Sequence, residues 1–557
     1  MPIVFENKLT IFRHYNLKIL MVTDGGGSFG KTDFGLSELL KTLHSMPSWV
    51  KVSVTRAHRG SDPYNFAALP ADERALLQPD HEGFRFTQDN FDISKFDEVW
   101  LIGVARRQAV GPQGQPVDHP QTMSDAELRV LTQFMDAGGG VFSTGDHEDL
   151  GYALSGRVPR VRSMRKWYWA SATANGPAID GGPPQLRAPD GGSTTRYDTL
   201  REGDPGYQFE DQSDTVPQDI DPVMRSVKDR FFKVSYPHPL LCGPRGIIRV
   251  LPDHPHEGEC VVPTNLGFSY TFSGYESEEY RTNTAGHKER PEIVAHARVI
   301  AGHTTAFQSG DEKPAVVGRT FGVIGAYNGH VANVGRVSVD ATWHHFFNIN
   351  LVGDPGAPTL EKRTGFPATT AGQAVYDDIK AYFRNIAIWL APKTAQAEML
   401  SAAVWNARFT PIAIEYLHPH VPILLTGTYA RDALGRLASK CQTRQWIFEL
   451  FEILRIPEIL PPLPPLPEPS PEPPVPWFDP VVLEDIVLGG VMQEMIAAFP
   501  VPEAASEKVS SKELLSVVRK GAQRSMKALS AHLESEIRTL KLRMEWTEKA
   551  RARLERA

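Results

Sequence analysis

A chain of 557 residues has room for two to four domains at about 150 residues each. With 41% hydrophobic and 22% charged residues it can bury a large core, which excludes global disorder. A net charge of −7 is small for this length and excludes a general nucleic-acid binder.

The three cysteines, Cys242, Cys260 and Cys441, are too few for a disulfide framework, and no pair has zinc-knuckle spacing. A reducing compartment, and hence a cytoplasmic protein, is the simpler expectation. Between Met1 and Leu20 the residues Glu6, Lys8, Arg13, His14 and Lys18 interrupt any signal-peptide core. No apolar run reaches the roughly 18 residues that would span a bilayer.

In chain order, Leu17 to Thr23 reads as a buried strand, followed by Asp24-Gly25-Gly26-Gly27-Ser28 and a helical pattern to His44. Lys51 to Thr55 and Glu98 to Val104 are the next strands. Ser124 and Glu127 form a capping box for a helix with Leu128, Leu131, Phe134 and Met135 on its apolar face. Gly138-Gly139-Gly140 stops it, and Val141 to Thr144 is a strand ending at Gly145-Asp146-His147-Glu148-Asp149. Strands alternating with helices predict a doubly wound, mostly parallel α/β sheet of flavodoxin-like kind. A Gly/Pro/Arg-rich insertion covers about residues 151–235. Strands are then expected at Ile247–Leu251, Pro291–Ile300, Ala315–Ile324 and Gly335–Asp340. A helix over Thr370–Leu390 closes a domain spanning 16–392, and a helical region occupies 393–455.

Twelve prolines between Pro457 and Pro480 make residues 456–480 a semi-rigid spacer. Residues 481–557 form a helical tail. Its long helix, from Ser511, carries an apolar stripe from Leu515 to Met544 in steps of three and four, and twelve Lys/Arg against six Glu. That pattern suits a coiled-coil seam, and self-association or a protein partner through 511–557 is expected.

Three polar clusters fall where such strands end, the place where open α/β sheets bind ligands. Asp24, Gly25, Gly26, Gly27 and Ser28 read either as a tight turn or as a loop that aims N–H groups at an anionic ligand or cofactor. Asp146, His147 and Glu148 supply acid–base groups or metal ligands; the plainer alternative is a solvated helix N-terminus. His254 and His256, held on one side of an extended Pro-rich run with Glu257 beside them, form a metal half-site or a polar surface loop. A fourth group, Asp340 to His345, places His344 and His345 after a late strand entered from a hairpin-like loop. A divalent metal held by His254, His256, Glu257 and His147 is therefore one expectation, with Asp146, His147, Glu148, His344 and His345 as catalytic groups.

The triple glycine before Val141-Phe142, the strand-to-helix elbow, and the late hairpin strand ending in histidine resemble the class I glutamine-amidotransferase-like superfamily. The resemblance covers roughly residues 16–392. It extends to the trehalose-utilisation-type proteins, which lack the nucleophilic cysteine. Here the elbow reads Thr144-Gly145-Asp146-His147, with no thiol, while His344 or His345 fits the late-histidine position. The resemblance implies a fold without glutaminase chemistry. A hydrolase, lyase or isomerase acting on a small polar, sugar-like substrate is one expectation. A non-catalytic binding or assembly protein that recruits a partner through its C-terminal helix is the other.

Overall fold

The computed structural model describes residues 13–113, 115–146, 149–169, 186–187, 217–228, 233–252, 258–299, 319–356, 363–418, 420–453, 480–500 and 509–556. The proline-rich spacer expected at 456–480, Pro480 excepted, and most of the insertion expected at 151–235 lie outside them.

Strand β1 (Tyr15–Thr23) is buried on both faces from Ile19 onward, which is why it reads as an unbroken apolar run. Helix α1 (Ser37–His44) returns the chain to β2 (Val50–His58), and β3 (Glu98–Ile102) pairs on the other side of β1. Helix α2 (Asp125–Asp136) starts on the expected capping box, with Ser124 and Glu127 each satisfying the other's backbone N–H. It leads into β4 (Gly140–Thr144), parallel to β3.

The later strands are β5 (Pro217–Pro222), β6 (Val250–Pro252), β7 (Glu292–Val299), β8 (Arg319–Tyr327) and β9 (Val337–Asp340). The order across the sheet is β6-β5-β7-β8-β9-β4-β3-β1-β2, with two short pieces, Arg165–Lys166 and Glu259–Cys260, attached beside β8. Strands β2, β1, β3, β4 and β9 run parallel; β9-β8, β8-β7, β7-β5 and β5-β6 pair antiparallel. The sheet is therefore mixed. The short loop after β8 can only turn the chain back, whereas the helical crossovers earlier in the chain permit parallel neighbours.

Helix α3 (Thr370–Leu390) matches the expected bounds and packs its Ile379, Tyr382, Phe383 and Ile386 face into the core. Helices α4 (Lys393–Arg408), α5 (Ile423–Ala438), α6 (Lys440–Ile453), α7 (Pro480–Ala498) and α8 (Ser511–Leu554) follow. One continuous core runs from Leu17 through Trp405 and Trp446 to Val487 and Leu514, so the helical region and the sheet share one interior. Trp49 meets Trp446 edge-on at 5.3 Å and donates to the Leu437 carbonyl at 2.9 Å.

Two expectations are corrected here. The first is that the helix from Ser511 serves association along its whole length. Its first half docks intramolecularly, burying Leu514, Val517, Val518, Gly521, Ala522, Ser525 and Leu529. Helix α7 is buried over most of its length, with α5 and α8 both packed against it. The crossing is close because glycines line it: a Cβ on Gly490 would sit 2.2 Å from Ser525 Oγ, and one on Gly521 would sit 2.4 Å from Val491 Cα. The second correction concerns the cysteines. Cys242 and Cys441, 199 residues apart, form a disulfide that ties the sheet region to α6. The argument for a reducing compartment falls with it. No helix among the described residues is long and apolar enough to cross a membrane.

Glu98 at the start of β3 is fully buried. One carboxylate oxygen accepts from Trp100 Nε1 at 2.7 Å, and the other has no partner among the described residues. Burial pushes its carboxyl well above the usual range. The folded chain thus holds this proton more tightly than the unfolded chain does. The resulting penalty is absent at low pH and grows as pH rises past the ordinary Glu value of about 4.3. Glu98→Gln should raise Tm by several degrees at about pH 8 and by much less at about pH 4. Thermal melts giving the same shift at both pH values would contradict this origin.

Candidate active site at the strand ends

The parallel register sets four residues in one row: Thr23 faces Ile102, Ile102 faces Thr144, and Thr144 faces Asp340. The chain segments that leave these four strands therefore start level with one another. Strand order reverses between β1 and β3, which makes that gap the switch point of the parallel half.

At that gap Asp24 is fully buried and bridges β1 to β3. One of its carboxylate oxygens accepts from the N–H groups of Val104 at 2.6 Å and Ala105 at 2.9 Å. Burial raises its pKa, with the two amides pulling the other way. Gly25 takes a left-handed φ of 56° and donates its N–H to Gln121 Oε1 at 2.8 Å. A Cβ on Gly27 would lie 2.3 Å from Thr23 Oγ1. Ser28 Oγ and the Phe29 N–H both donate to the Asp62 carboxylate, and the Gly30 N–H donates to Ser28 Oγ. His58 Nε2–H donates to the Gly27 carbonyl at 3.1 Å, a tautomer set by the Gly60 N–H donating to Nδ1 at 2.9 Å. The donors of Gly25, Ser28, Phe29 and Gly30 are thus engaged by groups of this chain, an internal carboxylate among them.

At the end of β4, Asp146 is fully buried and its Oδ2 lies 3.5 Å from His344 Nε2. On the ring's other side, Nδ1–H donates to Asn350 Oδ1 at 2.9 Å. With Nδ1 committed as donor to Asn350, Nε2 is the ring nitrogen that faces Asp146. The imidazole lies 4.0 Å from the Trp343 ring and 6.2 Å from the Phe34 ring, a low-dielectric surround that strengthens the pairing.

His345 points elsewhere. Its Nδ1 pairs with Asp340 Oδ1 at 2.8 Å, both groups are fully buried, and Tyr382 of α3 donates to Asp340 Oδ2 at 2.7 Å. Asp149 accepts from Arg106 Nη1 at 2.7 Å and from the Arg107 N–H at 3.1 Å. The fully buried Arg165 guanidinium donates to the carbonyls of Asp340 and Ala341 at 2.9 and 2.8 Å and to that of Asp146, and stacks 4.7 Å over Trp167.

The structure thus brings together Asp146 from one expected cluster and His344 from another. It also joins the glycine loop to the late-strand segment: Asn348 donates to the Gly30 carbonyl, and its own backbone N–H donates to that of Gly35. His147, Glu148, His254, His256 and Glu257 lie outside the described residues. Among the described residues, no group of three or more His, Cys, Asp or Glu side chains could hold a metal ion. Sequence reasoning passed over Asn350, Tyr382 and Arg165. Asn348 and Asn350 inside the apolar run Phe346–Leu351 are a readable sign of buried polar work. Tyr382 sits in an apolar stripe and carried no such sign.

Cys260 is the free cysteine among the described residues, and it is buried, with its thiol near the carbonyls of Val323 and Val339 at 3.5 and 3.6 Å. Burial pushes its pKa far above the thiol's ordinary value, so it supplies no thiolate. Treatment with a thiol-alkylating reagent should leave the native chain unmodified, label one cysteine after denaturation, and label all three only after reduction. Labelling of the native chain would refute the buried-thiol assignment. Comparison of the whole chain finds no match to any protein-family model or curated protein sequence.

Proposed function

We propose that this chain is an acid–base enzyme of the cysteine-less, class I glutamine-amidotransferase-like kind, built on a flavodoxin-like sheet, in which His344 moves a proton with Asp146 as its partner. The observation that carries the reading is the 3.5 Å approach of Asp146 Oδ2 to His344 Nε2, with the ring oriented by Asn350. A general acid–base group needs an oriented ring and a partner that stabilises its charged form, and both are in place. The parallel order β2-β1-β3-β4-β9 supports the family reading, since it follows the flavodoxin-like pattern. So does the position of Asp146 at the elbow, where an amidotransferase would carry its cysteine.

In this reading His344 takes a proton from, or gives one to, a small polar substrate at the strand ends. Asp146 stabilises the imidazolium, and His345 with Asp340 and Tyr382 holds the segment beneath it. A sugar-like substrate follows from the family analogy, as do roles for His147 and Glu148 beside Asp146. A divalent ion would fall to His147, His254, His256 and Glu257. Hydrolysis, elimination and isomerisation all use such a proton transfer, and glutamine hydrolysis does not fit because the elbow has no thiol. The test is untargeted mass spectrometry of a polar metabolite extract incubated with the wild-type chain or with His344→Gln. A metabolite should be consumed by wild type alone, with the variant at least about 100-fold slower, the usual worth of a general acid–base group. Identical profiles for the two would sink the proposal.

A second reading, assembly through the tail, is favoured by the far half of α8, where Ile537, Leu540, Met544 and Trp546 are each more than half exposed. Leu533, Ile537, Leu540 and Met544 follow steps of four, three and four. An antiparallel second copy would set Glu534 against Lys541 and Glu536 against Arg543. Truncation after Ser530 should leave Tm nearly unchanged and lower the mass measured by light scattering. Deletion from Ser511 should also lower Tm, because it strips Leu514, Val518 and Leu529 from the core. A monomeric full-length chain would rule out the pairing.

A further inference from the structure

A groove of about 960 Å³ opens between α3, the turn that follows Cys242, and the junction of α5 with α6. The Cys242–Cys441 disulfide joins two of its walls. Five cationic side chains line it, Arg245, Arg384, Arg436, Lys440 and Arg444, and no acidic one does. Three are already neutralised from outside the lining: Arg245 by Asp378 at 2.6 Å, Arg436 by Asp432 at 2.5 Å, and Arg444 by Glu484.

Arg384 and Lys440 differ. Neither has a carboxylate within ion-pair distance among the described residues. Arg384 reaches Ser45 Oγ at 3.2 Å with one terminal nitrogen, while its Nε is buried and lacks a hydrogen-bond partner among the described residues. Asp377, the acid that acts on Arg384 from a distance, is paired with Lys380 at 3.5 Å. Lys440 sits exposed at the first position of α6. Two positive charges therefore face the groove with no internal counterion among the described residues, beside apolar lining from Ile247 and Leu437.

We propose that this groove binds a phosphorylated small molecule, with the phosphate held by Arg384 and Lys440 and the organic body resting on the apolar lining. A phosphate monoester carries about −1.5 to −2 charges at neutral pH, which matches two unpaired cations; a carboxylate would neutralise only one. The planar fork of Arg384 offers paired donors to phosphate oxygens, and Lys440 adds a mobile point charge. The volume suits a ligand of drug or nucleotide size. This site is independent of the proton-transfer pair at the strand ends.

Isothermal titration of the full chain with naphthyl phosphate and with naphthol, at constant ionic strength, tests the assignment. Wild type should bind the phosphate at least about tenfold more tightly than the alcohol, a difference of about 1.4 kcal/mol. Arg384→Gln/Lys440→Gln should lose that preference, while Arg436→Gln, whose charge Asp432 already takes, should keep it. Should the double variant not fold, exposed Lys440→Gln alone should reduce the preference. Equal affinity of wild type for the two compounds, or a preference untouched by removing these two charges, overturns the proposal.

Discussion

Arg165 lies fully buried between the ends of β4 and β9, and the geometry of the strand-end site depends on it. Its guanidinium donates to the carbonyls of Asp146, Asp340 and Ala341, binding the elbow to the late-strand segment. A charge taken from water at this depth is costly unless its donors are met. Backbone carbonyls meet both terminal nitrogens here, and although burial lowers its pKa, the nearby carboxylates of Asp146 and Asp340 pull the other way. With both chain segments fixed to one rigid fork, Asp146 and His344 are held at a set approach, and His345 is turned away to Asp340. A methionine at this position would fill the space and withdraw all of these donors.

The helical layer is bound to the sheet with similar economy. Arg336, at the entrance to β9, reaches the Trp389 carbonyl at 2.8 Å, Asn328 Oδ1 at 2.9 Å and the Glu449 carboxylate of α6. The same helix carries Cys441, bonded to Cys242. Helices α5, α7 and α8 then stack through glycine contacts: a Cβ on Gly427 would meet the Asp485 carbonyl at 1.7 Å, and one on Gly489 would meet that of Ile423 at 2.0 Å. Close backbone approach maximises dispersion contacts, and it spends the apolar stripe of the first half of α8 on the body of the protein. The far half keeps its apolar side chains exposed.

Much of the fold was legible because its signals are local. The apolar run of β1, the capping box of α2, and the helix from Thr370 to Leu390 each follow from residues within a few positions of one another. The polar clusters were legible as strand-end groups, and Asp146 with His344 is where two of them meet. Their partners were not. Asn350 showed as a polar residue inside an apolar run but not which group it would meet, while Tyr382 is hidden in a helix stripe and Arg165 in a stretch with little pattern. The glycine loop read equally well as a ligand cradle or a turn until Asp62, 34 residues beyond Ser28, was seen to take its donors.

By itself the sequence determined the elements, their α/β alternation, the row of ionisable groups at the strand ends and the missing thiol at the elbow. Hydrophobic periodicity and capping act over a few residues and can be read from them. Tertiary structure decided the turn to antiparallel pairing beyond β9, the 199-residue disulfide, the docking of α8, and which of the two late histidines meets Asp146. Those choices rest on contacts between residues far apart in the chain. Arg165 and Asp340, 175 positions apart, are a case in point: burial and geometry set their partners, and neither is written in the local pattern.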